Sequence, residues 1–155
     1  MLRREFLRHT ASATGLAIVS VAAEPWEQLT SALSARNRVD RVTVENLDSM
    51  TASFGQMYQT MAPGLLLAPV SAHLRTLSQL LKTGSPTEAL RRRITSLAAE
   101  TSILLGWMTH DQSDSQAAHN YYRSALSAAA EAEDGPLGAY AIGSASVLPA
   151  WRSSP

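Results

Sequence analysis

Cysteine is absent from this chain of 155 residues, which removes disulfides, a thiol nucleophile and any cysteine-ligated zinc. That absence suits a bacterial cytoplasm and is also compatible with export. Net charge is missing too: 13 basic residues balance 13 acidic ones, so direct nucleic-acid binding by this chain is not expected. No apolar run reaches the roughly 20 residues needed to cross a bilayer, and no stable membrane anchor is expected. There is no Gly-rich phosphate loop and no Ser-His-Asp order with a nucleophile elbow. The sequence therefore predicts neither an enzyme nor a bound cofactor.

Histidine is scarce, with only His9, His73, His110 and His119. A metal site needs at least three converging ligands, and only His110, Asp111, Asp114 and His119 lie close together in the chain. His110 ends one expected helix, while His119 faces away from the apolar stripe of the next. The stretch reads as a polar turn, with Asp114 near a helix N-terminus where negative charge is favourable.

What the chain does have is helical periodicity. With 45% hydrophobic residues it can bury a sizeable core in one globular domain. The expected fold class is all-α, built of antiparallel helical hairpins. Its helices are expected over Trp26 to Leu33, Thr43 to Met61, Val70 to Lys82, Thr87 to Met108, Gln116 to Glu133 and Leu137 to Leu148. Two stretches organise it. From Ile94, the residues Leu97, Ala98, Leu104, Leu105 and Met108 fall close to one face, and Ala118, Tyr121, Tyr122, Ala125, Leu126 and Ala129 do the same in the following helix. An earlier stripe of Val44, Leu47, Met50, Phe54, Met57, Tyr58 and Met61 reads as core packing, as do Val70, Leu74, Leu77 and Leu81.

Local signals mark the boundaries. Ala62-Pro63-Gly64 is expected to end one helix, and Pro69 to open the next with Gly84 beyond its end. Ser85-Pro86-Thr87-Glu88 opens the central helix as a capping box with Pro at the first helical position, and Glu88 and Arg92 are spaced for an ion pair. Ser113 with Gln116 forms a second capping box, and Gly135-Pro136 breaks the chain again. Arg91, Arg92 and Arg93 lie roughly 100° apart around a helix, so they form no single stripe and read as a solvated turn rather than a phosphate site.

Leu105-Gly106, Ala118, Tyr122 and Ala125-Leu126 match the tetratricopeptide pattern of a Leu-Gly pair, a small residue, an aromatic and an Ala at their spacing. The resemblance implies a right-handed array in which Gly106 and Ala118 let two helices cross closely and Tyr122 fills the space toward the next unit. The first-helix aromatic position is Thr109, and no Pro closes the second helix. Over nearly the whole chain, Arg-Arg-Glu-Phe-Leu from Arg3, Glu-Pro-Trp-Glu-Gln-Leu from Glu24, Arg-Val-Asp, Thr-Val-Glu-Asn-Leu and this hairpin together resemble the middle region of actinobacterial helix-turn-helix transcriptional regulators. In such proteins, the resemblance implies, a DNA-binding domain precedes the Arg-Arg segment and further repeats sense a ligand or partner. The expectation is a shortened regulator sensing region, cytoplasmic and non-enzymatic, that binds a peptide or partner protein in a groove between helices.

The first 23 residues carry a competing reading. Arg3, Arg4, Phe6 and Leu7 resemble a twin-arginine export motif, followed by a weakly apolar region and a cleavage-like Val21-Ala22-Ala23. On that alternative, residues 1–23 are removed and residues 24–155 form an exported helical domain. At the other end, Leu137 to Leu148 has no second helix to cover it. Tyr140, Leu148 and Trp151 are the expected apolar anchors for self-association or a partner, unless this helix folds back onto the Tyr121 and Tyr122 side.

Overall fold

The computed structural model describes residues 39–148. The expected helix at Trp26 to Leu33, the Arg3, Arg4, Phe6 and Leu7 motif and Trp151 lie outside the described residues. Within them the chain is all-α, without a strand: α1 Arg41–Tyr58, α2 Pro63–Thr83, α3 Glu88–Asp111, α4 Ser115–Glu131 and α5 Gly135–Ala145.

Each start has a local cause. Asp40 caps α1, its Oδ1 accepting from Thr43 N at 2.8 Å, and hydrogen bonds from Thr43 hold the Asp40 carboxyl below its ordinary range. Thr87 caps α3, accepting from Leu90 N at 3.4 Å, so Pro86 lies before the cap rather than inside the helix. Pro63 is the first residue of α2 and Pro69 lies in its interior. The Ala62-Pro63-Gly64 stretch therefore opens a helix where the sequence suggested an end. An interior proline costs about 3 kcal/mol. The side chains around it offset that, since Leu66 and Val70 are both buried and contribute about 1.5–3 kcal/mol each.

The turns before α4 and α5 are the same device used twice. Ser113 and Glu133 take the left-handed conformation, with φ of 63° and 56°. The next residue then reaches back: Asp114 N donates to Thr109 O and Asp134 N to Ala129 O, each at 2.9 Å. These are Schellman closures. The same aspartates cap the following helices, Asp114 accepting from Ala117 N at 3.0 Å and Asp134 from Leu137 N at 3.1 Å. The cap of α4 is thus Asp114 and not Ser113, which belongs to the end of α3. Gly135-Pro136 does not break the chain but forms the first turn of α5, where a missing N–H costs nothing.

Helix α3 touches every other described helix. Its burial is consequently not confined to the expected stripe. Thr95, Ser96, Thr101, Ser102, Ile103 and Thr109 are buried along with Ile94, Leu97, Leu105 and Met108. The hydroxyls are satisfied inside the helix, Thr101 Oγ1 donating to Leu97 O and Ser102 Oγ to Ala98 O at 2.7 Å, and Thr109 Oγ1 to Leu105 O at 2.8 Å. That is why a helix with so many polar residues can be surrounded. Three clusters result: Val44, Leu47 and Leu77 against Ile94 and Leu97; Leu66 and Val70 against Leu105 and Met108; and Ile103 with Ala118, Tyr122, Ala125, Ala141, Ala145 and Leu148.

Two expectations about α1 and the C-terminal stretch need correction. Met50 and Met61 are exposed; the inward position beside Met50 belongs to Thr51, whose hydroxyl meets His73. Leu148 is only 1% exposed. It packs into the Ile103–Tyr122 cluster because the turn after α5 folds back, so it cannot anchor a partner. The three arginines are each paired with acid: Arg91 with Glu131 at 2.9 Å, Arg92 with Glu88 at 3.0 Å and Glu133 at 2.8 Å, and Arg93 with Asp48 at 2.6 Å and Glu100 at 3.1 Å.

Candidate functional site

The residues singled out by the repeat pattern form packing rather than a site. Leu105 is fully buried against Leu66, Val70 and Met108. A Cβ built on Gly106 would lie 2.6 Å from Tyr122 Cε1, so the glycine makes room for that ring. Ala118 and Ala125 are buried around Tyr122, with Leu126 half-buried at the cluster's edge.

Of the expected anchors, only Tyr140 is open, at 55% exposure, and it stands on the wall of a cleft of about 500 Å³. Helix α1 contributes Tyr58, α3 contributes Trp107, His110 and Asp111, α4 contributes Tyr122, and α5 contributes Tyr140 and Ser144. Trp107 is the hinge of the aromatic wall. Its ring lies 6.3 Å from Tyr58, edge-on, and 6.3 Å from Tyr140, tilted, both within the range of favourable ring pairs. A second cleft of about 430 Å³ shares Tyr58, Trp107 and Tyr140 and continues toward Thr51, Gly55 and Glu100.

The polar atoms of the cleft are unevenly satisfied. Tyr58 donates its O–H to Asp111 Oδ2 at 2.5 Å, and burial together with that bond pushes the Tyr58 phenol up. Burial, with the charge of Asp111 behind it, pushes the Tyr122 phenol up to about 12. Both phenols therefore remain protonated and act as neutral walls and donors. In contrast, Ser144 Oγ and His110 Nδ1 are buried and have no hydrogen-bond partner. Such atoms each cost about 1–3 kcal/mol, a cost that a bound group could relieve.

Sequence reading missed Trp107, Tyr58 and Ser144 as members of a site. A weak signal existed: Trp107 and Asp111 are spaced i, i+4 on α3, as Tyr140 and Ser144 are on α5, which places each pair on one helix face. Nothing local connects them to Tyr58, which lies 53 residues from Asp111. Among the described residues no group of three or more His, Asp or Glu side chains is placed to hold a metal ion, and no helix is long and apolar enough to cross a membrane. In comparisons with known proteins, no family model, curated protein or solved structure matches this chain.

Proposed function

We propose that this chain is a non-enzymatic helical interaction module that binds a peptide or partner protein in the aromatic cleft, as the sensing region of a transcriptional regulator would. The observation that carries the reading is a cleft walled by four aromatic rings and containing two buried polar atoms without partners, Ser144 Oγ and His110 Nδ1. Concave, mostly apolar sites with a few convergent polar groups are the usual form of a recognition site. A tetratricopeptide-like arrangement of antiparallel hairpins fits the order of pairing between α3 and α4. Arg91 near the start of α3 meets Glu131 at the end of α4, whereas Gly106 near the end of α3 holds Tyr122 in the first half of α4. The pairing of all three central arginines with carboxylates leaves no free basic stripe there for nucleic acid, which favours a protein partner over DNA.

The test is selection of displayed random dodecapeptides on the folded chain, with Tyr140→Ala as the counter-selection target. Tyr140 is exposed, so its removal leaves the core intact. Peptides enriched on the wild type and not on the variant are expected. Failure to enrich any, or equal enrichment on both, would overturn the cleft as the binding surface.

A further inference from the structure

The charge in the cleft is of one sign. Asp111 is the only carboxylate on its wall, and neither lysine nor arginine lines it. The adjoining cleft has Glu100 as its only charged residue, already paired with Arg93 at 3.1 Å. An anionic ligand would find no cation here.

The acceptors are specific. Asp111 uses Oδ2 for the Tyr58 hydroxyl, and its Oδ1 takes no hydrogen bond among the described residues. Ser144 Oγ, in a residue only 7% exposed, and His110 Nδ1 are the two unpartnered buried atoms on the same wall. A hydroxyl oxygen can accept, and so can Nδ1 in the tautomer protonated on Nε2. The cleft thus offers three acceptors from two helices. An alkylammonium carries three donors and no acceptor, and its positive charge is attracted to the faces of tryptophan and tyrosine. Trp107, at 37% exposure, and Tyr140 supply those faces at the mouth, where an aliphatic stem would lie along the rings. A neutral apolar ligand would leave Ser144 and His110 unpaired, and a planar guanidinium fork is suited to two acceptors in one plane rather than three on separate side chains.

We propose that the cleft receives a primary ammonium on an aliphatic stem, namely a lysine side chain of the partner segment. This rests on the interaction-module reading and names what that module recognises. The test follows the Trp107 indole N–H by NMR, assigned with Trp107→Phe, during titration of the full chain with three probes of similar length: pentylammonium, 1-pentanol and pentanoate. Saturable shifts are expected with the ammonium, about tenfold weaker binding of the alcohol, and none of the carboxylate. Asp111→Asn, at an exposed position, should weaken the ammonium about tenfold while leaving thermal unfolding in place. Ser144→Ala, which removes an unsatisfied atom, should weaken it without loss of stability. Equal binding of alcohol and ammonium, or wild-type affinity in Asp111→Asn, would overturn the assignment.

The source of the ammonium is read separately. Capped Gly-Lys-Gly should bind more tightly than pentylammonium; the reverse order would overturn the lysine segment as occupant and point to a free amine. Dodecapeptides selected without lysine would overturn this inference and leave the module standing, whereas ammonium binding with no peptide selected would overturn the module.

Discussion

Gly106 and Tyr122 occupy space that only one of them can fill: a Cβ at position 106 would come within 2.6 Å of Tyr122 Cε1 and 2.9 Å of Cδ1 and Cζ. Because the ring is fully buried, it has no open side toward which to yield. Alanine at 106 would recover about 1 kcal/mol of helix propensity, but forcing a group into a packed interior costs about 1–3 kcal/mol. Gly106→Ala is therefore expected to lower stability in urea unfolding, and a double variant with Tyr122→Leu to be less destabilised than the two single effects added. An alanine variant as stable as the wild type would refute the steric relationship.

Ser113 is expected to be a site of easy stabilisation. Its φ of 63° is a conformation that costs a non-glycine residue about 1–2 kcal/mol, and glycine is favoured at this position after a helix. Ser113→Gly should raise the unfolding free energy by about 0.5–1 kcal/mol. Glu133→Gly relieves the same conformation but loses the 2.8 Å pair with Arg92, an exposed contact that contributes at most about 1 kcal/mol, so its gain should be smaller. A loss of stability in Ser113→Gly would count against the turn geometry.

Leu148 and Leu105 should behave alike although they lie at opposite ends of the helical region. Both are buried, and truncation of either to alanine is expected to cost about 2–5 kcal/mol. Guanidinium unfolding of Leu148→Ala decides the matter: a cost below about 1 kcal/mol would return this side chain to the surface and restore it as a docking anchor.

His73 should make stability fall as the solution is acidified. Thr51 has committed its only hydroxyl hydrogen to Leu47 O at 3.0 Å, so the 2.8 Å contact with His73 Nε2 requires the ring to donate from Nε2. Nδ1 is then a buried acceptor without a partner, and a proton added there would have nowhere to bond. The Phe54 ring, 5.6 Å away, offers no counter-charge. Burial accordingly holds the His73 pKa below its ordinary 6.5. The unfolded chain takes up this proton before the folded one does, so stability is complete above about pH 6.5 and declines as pH falls toward the native value. His73→Gln should flatten that dependence between pH 7 and 5. An unchanged slope would show that other groups carry it.

Much of the architecture was written locally. Helix α1 follows from the spacing of Val44, Leu47 and Phe54 and the Asp40 cap, and α3 starts where Thr87 can cap it, because periodicity and capping involve residues within four positions of each other. Gly106 was legible as a close crossing for the same reason. What neighbours in sequence could not specify was which faces would be covered. Helix α3 is buried on more than its apolar stripe because other helices surround it, and its hydroxyls tolerate this only by bonding back within the helix. Pro69 stays inside α2 because the burial of Leu66 and Val70 outweighs its cost. Leu148 folds back, so the apolar pattern that suggested an open end describes a closed one. The cleft was the least legible feature, since Tyr58, Asp111 and Ser144 share a wall only after α1, α3 and α5 have packed. The sequence alone determined where helices form and how they start; the tertiary structure decided burial and assembled the cleft, because those depend on contacts among residues that chain proximity does not relate.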